Sequence, residues 1–356
     1  MEEPVHRRRP RYPGRNPRRF EERYKERDPD RYPETVEKVV ASGKTPVGSH
    51  RPVLVNEILA ALRPEPGLVA VDATLGFGGH ATEILPHLLP GGRLVGLDAD
   101  PVELPKTEAR LRALGFGERT LTVRRSSFAG LPKVLAELGL PAVDLVLADL
   151  GVSSMQLDDP VRGFSFKVDG PLDMRMNPSR GLSAADLLAR ISAERLAALL
   201  RENSDEPYAA QIADALVSSR VRAPIATTLA LATAVREALA ALPQRAREEA
   251  GDDPVRRTFQ ALRIEVNDEL GALRAFLAAL PSCLAPRGRV AIVTFHSGED
   301  RLVKKAFQSG NRQGIYADWS RDPVRPGPEE LRANPRSRSA KLRTALGPGA
   351  ADGLAS

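Results

Sequence analysis

The chain has 356 residues, 42% hydrophobic and 28% charged, with a net charge of +6, which leaves room for two domains, or for one large α/β unit carrying an insertion. No run approaches the roughly 18 uninterrupted apolar residues of a membrane span, and the Arg- and Pro-rich start lacks a secretory apolar core, while Glu2, Glu3, Glu21, Glu22 and Glu26 make it too acidic for a transit peptide. Cys283 is the only cysteine, so an internal disulfide is excluded, a Cys-based zinc site is disfavoured, and a reducing, cytoplasmic setting is expected.

Residues 1–46 hold Arg7, Arg8, Arg9, Arg11, Arg15, Arg18 and Arg19 with several prolines and few aliphatics, and are predicted to be a disordered basic tail. Its charge permits non-specific attraction to phosphates without requiring it. Val53 to Leu62 reads as an amphipathic helix closed by Pro64 and Pro66. Short apolar runs follow at Leu68–Asp72, Leu94–Asp98, Leu121–Val123, Val143–Asp149 and Val290–Phe295, the pattern of strands buried on both faces. The helical spans Gly79–Leu89 and Pro101–Leu114 alternate with them. The fold class predicted is therefore α/β, a doubly wound, mostly parallel Rossmann-like sheet.

Between Asp149 and Val290 lie 140 residues, far more than one crossover needs. Ser183–Arg201, Tyr208–Val221 and Thr228–Leu239 have helical periodicity there, and Ser183 with Asp186 resembles a capping box. An inserted all-helical domain is predicted over residues 156–255, interrupting a sheet domain formed by 47–155 and 256–345, with 346–356 a disordered tail. Thr258–Leu280 reads as one long helix with the apolar stripe Phe259, Leu262, Val266, Leu270, Leu273 and Leu277.

The first strand ends in Asp72 and runs into Gly76-Phe77-Gly78-Gly79-His80. Those glycines permit a sharp turn and close ligand approach, and the following helix aims its first amides at the ligand. Asp98 ends the second strand 20 residues after Gly78, where an acid accepts hydrogen bonds from ribose hydroxyls. Asp149 ends a central strand facing the ligand crevice of such folds. The loop alone serves either a dinucleotide or a methyl donor whose cationic amino-acid end would meet Asp72. It can also be a plain turn, and Asp149 a turn cap. No residue pattern points to a metal.

These residues and those after them resemble the ribosomal RNA small subunit methyltransferase H family over about residues 49–345. The resemblance is carried by His50-Arg51-Pro52-Val53-Leu54, Gly78-Gly79-His80, Asp149-Leu150-Gly151-Val152-Ser153-Ser154 and Gln156-Leu157-Asp158-Asp159-Pro160. It continues through Arg162-Gly163-Phe164-Ser165-Phe166, Asp169 to Met176, Thr258 to Ile264, Phe295-His296-Ser297 with Glu299-Asp300-Arg301, and Asn334 to Lys341. Met155, Gly298 and Asp252-Asp253-Pro254 depart from the residues usual there, and none is an implied cofactor contact. The resemblance implies S-adenosylmethionine as cofactor, contacted by Gly78, Gly79, His80, Asp98, Phe128, Asp149 and Gln156. It also implies methylation of the exocyclic N4 of a decoding-centre cytidine, cytidine 1402, in 16S rRNA of the 30S ribosomal subunit.

Asp149 and the Gly151–Ser154 turn, with Ser153 and Ser154, are the expected catalytic surroundings. His296 is a further candidate for orienting base or ribose, against the alternative of a loop histidine satisfied by backbone. Phe164 or Phe166 either stacks on an extruded cytosine or packs under a loop. Arg162, Arg175, Arg336, Arg338, Lys341 and Arg343 are candidate phosphate contacts or plain solvated cations. The oligomeric state is open, a homodimer included. Three rival readings are a nicotinamide oxidoreductase, a ribosome-assembly factor without turnover and a DNA cytosine-N4 methyltransferase. The last normally carries an Asp/Asn-Pro-Pro-aromatic motif that is missing here.

Overall fold

A computed structural model describes residues 52–349 of the chain. The basic tail predicted over residues 1–46 lies outside the described residues, as does the chain from residue 350 on. Strands β1 (Val69–Asp72), β2 (Arg93–Asp98), β3 (Leu121–Arg125), β4 (Val143–Asp149), β5 (Leu284–Thr294), β6 (Asp318–Trp319) and β7 (Lys341–Leu346) form one seven-stranded sheet. Its order is β3-β2-β1-β4-β5-β7-β6, parallel from β3 to β5, with β7 antiparallel to both neighbours. The order reverses at β1 and β4, so the crevice opens at the carboxyl ends of these strands.

Alternation along each strand divides the core in two. Ala70, Leu94, Leu145, Leu147, Ala291 and Val293 face α1 (Val55–Leu62), α2 (Gly79–Leu88) and α3 (Leu104–Ala113). Val71, Val95, Val146, Ala148, Val290 and Ile292 face the opposite way. There they meet α4 (Leu131–Glu137), α12 (Glu269–Cys283) and α13 (Ser297–Arg312). The apolar runs are continuous because both faces are covered.

After β4 come a short α5 (Ser154–Asp158) and then helices α6 (Ala184–Arg190), α7 (Ala193–Ser204), α8 (Ala209–Arg222), α9 (Thr228–Ala238), α10 (Gln244–Ala250) and α11 (Asp253–Asn267). They hold a hydrophobic cluster of their own, with Leu188, Leu200, Ile212, Leu231 and Val235 buried in it. Phe259, Ala261 and Leu262 of α11 also pack there, although the predicted boundary gave them to the sheet domain.

Two predicted helices are in fact pairs. Ser183–Arg201 breaks at Ile191, which is extended, and Ser192 caps α7 by accepting the Arg195 N–H. Ser183 and Asp186 do form a reciprocal capping box. Thr258–Leu280 breaks at Asp268, whose φ of 48° is left-handed and ends α11. The stripe read as continuous therefore serves two cores, Phe259 and Leu262 in the bundle and Leu273 and Leu277 against the sheet. A short α14 (Pro328–Ala333) precedes β7. Neither β6 nor β7 was expected, because β6 is two residues long and β7 is masked by Lys341 and Arg343.

Candidate active site

The loop from β1 into α2 is held by its neighbours rather than by its own sequence alone. Gly78 lies at φ 78° as the N-cap of α2 and has no side chain to cap it, which leaves the first amides of that helix for a ligand. A Cβ on Gly79 would stand 2.6 Å from Pro52 Cγ, so the close approach at this position is made by the chain itself. Thr107 of α3 donates its hydroxyl to Gly76 O at 2.7 Å, Arg110 donates to Phe77 O, and the Arg110 guanidinium lies 3.3 Å above the Phe77 ring.

The three strand-end acids meet around this loop. Asp98 accepts the Gly76 N–H at 2.7 Å and the Asp100 N–H at 2.8 Å. Two carboxylate oxygens offer about four lone-pair sites, so Asp98 keeps capacity for hydroxyl donors. Asp72 is fully buried and accepts the Thr74 N–H. Burial pushes its pKa up to about 6, reinforced by Asp149 and Asp98 and opposed by His80 and the Thr74 amide. Thr74 Oγ1 in turn accepts the Asp149 N–H at 2.6 Å. His80 Nε2 faces Asp149 Oδ2 at 3.4 Å. Burial opposes charge on His80, but Asp149, Asp72 and Glu83 outweigh it and raise its pKa. His80 Nε2 and Asp149 Oδ1 are buried without a hydrogen-bond partner, the condition of groups built to meet something else.

Asp100 is a buried hub that sequence reasoning missed. It accepts from Gln156 Nε2 at 2.9 Å, from Arg162 at 2.8 Å, and from the Val102 and Glu103 amides. Burial raises its pKa, but these donors win and hold it below the usual carboxylate range. Asp100-Pro101 was the available signal, an Asx residue before a turn proline.

A sheet order with an antiparallel strand between β5 and β6 departs from the dinucleotide-binding order 3-2-1-4-5-6. Residues 48–346 match the MraW methylase family. The chain belongs to that family. It is a methyltransferase. A relative from Lachnoclostridium phytofermentans, named ribosomal RNA small subunit methyltransferase H 1, is 52% identical over 346 residues, covering 97% of this chain and 94% of its own. A protein of the same name from Agathobacter rectalis is 47% identical, covering 97% and 99%. Ribosomal RNA small subunit methyltransferase H 2 of Alkaliphilus metalliredigens is 48% identical, covering 97% and 98%. Matches of this span reach well into the basic N-terminal segment, beyond residues 49–345.

Other predicted site residues of this MraW-family methylase sit as follows. Ser153 caps α5 by accepting the Gln156 N–H, and Gln156 Oε1 accepts the Ser153 N–H in return. With its amide donating to Asp100, Gln156 thus shapes the crevice with both ends engaged. Ser154 begins α5, partly buried. Phe128 follows β3 on the same edge, its ring 5.5 Å from Phe276 and edge-on to it.

His296 is the N-cap of α13. Its Nδ1 accepts the Glu299 N–H at 3.4 Å and its Nε2 faces Glu299 Oε1 at 3.3 Å. Glu269, held by Arg263 through two hydrogen bonds of 2.8 Å, brings a carboxylate oxygen within 4.8 Å of the nearest ring nitrogen and carboxylate oxygen of His296 and Glu299. The backbone contact at Nδ1 is what the loop-histidine alternative expects, but His296 Nε2 is buried without a hydrogen-bond partner, so the ring is only half satisfied.

Phe164 is buried and Phe166 packs on Phe259, so both take the packing alternative. Among the six candidate phosphate contacts, Arg162 is bound to Asp100, Arg175 to Asp173, Arg336 to Asp158, and Lys341 and Arg343 to Asp300. Arg338 is exposed.

Proposed function

We propose that this methyltransferase moves a methyl group from S-adenosylmethionine to the exocyclic N4 of cytidine 1402 in 16S rRNA of the small ribosomal subunit. Relatives covering nearly the whole chain are named ribosomal RNA small subunit methyltransferase H. The observation that carries the reading is the convergence of Asp72, Asp98 and Asp149 with His80 around a glycine loop that ends on free helix amides. That set fits a ligand with a cationic end and ribose hydroxyls.

Gly78 and Gly79 would let the backbone lie against the cofactor. Asp98 would take its ribose hydroxyls, Asp72 its ammonium, and Phe128 would flank the nucleoside from the third strand. The cofactor supplies an electrophilic methyl on sulfonium. Cytosine N4 is a poor nucleophile because its lone pair is shared with the ring. The protein's contribution is to hold the amine in line, reacting atoms about 3–3.5 Å apart, and to present acceptors for its protons. Asp149 Oδ1, buried and without a partner, suits that task. The Gly151–Ser154 turn after Asp149 lines the same centre. The helical bundle following it recognises the RNA, and the reducing setting implied by the lone Cys283 fits a cytoplasmic enzyme.

The test is transfer of label from S-adenosylmethionine to 30S subunits and to naked 16S rRNA, beside an Asp149→Ala variant. Label recovered as N4-methylcytidine and lost in the variant is expected. Cofactor binding without transfer to either substrate would remove the ribosomal assignment.

A further inference from the structure

Methyl transfer from a sulfonium to an exocyclic amine leaves one proton over. The N–C bond forms with the amine's lone pair, the C–S bond breaks with its pair left on sulfur, and the nitrogen must then lose a proton. The pocket meanwhile exchanges a cationic sulfonium for a neutral thioether. A group that can take up positive charge at that moment serves both needs.

His80 Nε2 and Asp149 Oδ2 face each other at 3.4 Å, and Nε2 makes no aligned hydrogen bond although it is buried. With its ring proton on Nδ1, a neutral His80 turns a lone pair toward the carboxylate, leaving two acceptors across a gap that one proton would bridge. Asp149 Oδ1, on the same carboxylate, is also without a partner. We propose that the Asp149–His80 pair is the proton acceptor of methyl transfer, Asp149 receiving the proton from the amine and His80 holding it. This rests on the methyl-transfer reading above. Asp149 is the catalytic member, and His80 acts through it as a positioning residue.

The surrounding charges favour it. Asp72 from β1 and Glu83 from α2 act on His80, and Asp98 from β2 acts on Asp72; all three are acids. Once the sulfonium charge is gone, this negative field retains a proton. The same carboxylates raise the His80 pKa despite its burial, so the imidazole holds a proton more tightly than a free histidine does.

Two measurements test this, and the first needs no methyl transfer. Calorimetry at neutral pH in two buffers of different ionisation enthalpy counts the protons taken up when S-adenosylhomocysteine or S-adenosylmethionine binds. The thioether is expected to bring uptake of close to one proton more than the sulfonium, and His80→Gln to abolish the difference. Equal uptake for the two ligands, or an unchanged difference in His80→Gln, overturns the proposal whatever the substrate proves to be.

The second is the single-turnover rate on 30S subunits against pH. In wild type it should fall as the pH is lowered and His80 takes up a proton before the reaction. In His80→Gln, at saturating cofactor, it should be about 100-fold lower and flat over that range. A wild-type pH profile in His80→Gln, or a loss confined to Kd, would sink the pair's role. Absence of transfer by wild type would count against the functional reading instead, and the calorimetry would still decide the proton question.

Discussion

Asp72 shows how one side chain can serve ligand binding at the expense of stability. Its carboxyl is buried and titrates near 6 rather than near 3.8. The native state therefore holds that proton more tightly than the unfolded chain does. The stability linked to this group is fully present below the unfolded pKa and is lost as pH rises through about 6. A cationic ligand reverses the preference, since it favours the ionised form. Asp72→Asn should accordingly raise Tm at mildly alkaline pH, where the native carboxylate is charged, and weaken S-adenosylmethionine binding at the same pH. In wild type, cofactor affinity should decline below about pH 6, and in Asp72→Asn that decline should be smaller. Calorimetric titration and thermal melts on the two proteins check both statements. An affinity with the same pH dependence in both would remove Asp72 from the cofactor contacts.

At the scale of elements, the glycine loop depends on what packs around it. Pro52, ahead of α1, and Thr107 and Arg110 on α3 hold it from two sides. Leu54, where α1 begins, donates its N–H to Glu330 of α14, which ties the entry segment to a distant helix. In Gly79→Ala the new methyl would meet Pro52 at 2.6 Å, closer than real contacts allow. Either the loop or the proline must move. The expected result is at least a tenfold loss of cofactor affinity, equivalent to about 1.4 kcal/mol, with the circular dichroism of the fold retained. Unchanged affinity would mean that Pro52 yields freely and does not set the loop. The α11–α12 pair carries a related lesson. An apolar stripe can keep helical spacing across a break when successive helices feed different cores.

On the scale of the whole molecule, the C-terminal strand is held by buried charge. Arg343 on β7 is only 3% exposed, donates to Asp300 at 2.6 Å and to the Ser320 and Arg321 carbonyls, and shares Asp300 with Lys341. The pair fixes α13 against β7, and so helps to hold the edge of the sheet on which the crevice is built. Removing one partner of a buried pair strands the other charge, at a cost of about 3–5 kcal/mol. Asp300→Asn retains shape and some hydrogen bonding, so a loss near the lower end, about 3 kcal/mol, is expected in chemical denaturation. A change under about 1 kcal/mol, the scale of a surface pair, would show that the carbonyls alone satisfy Arg343.

The amino-acid sequence by itself determined what is local. Apolar runs ending in Asp72, Asp98 and Asp149, and the glycine loop between the first two, are legible because strand periodicity and turn chemistry act over a few neighbouring residues. The Ser183–Asp186 capping box is of the same kind. Only the tertiary structure decided which polar groups are already engaged. Gln156 and Arg162 reach Asp100 from 56 and 62 residues away, and Arg336 reaches Asp158 from 178. An arginine on a strand with a distant buried partner is indistinguishable in sequence from one waiting for a phosphate. The same physics hid β7, whose charges are neutralised by α13, and revealed the His80–Asp149 pair, whose members are brought together by two parallel strands and the loop between them.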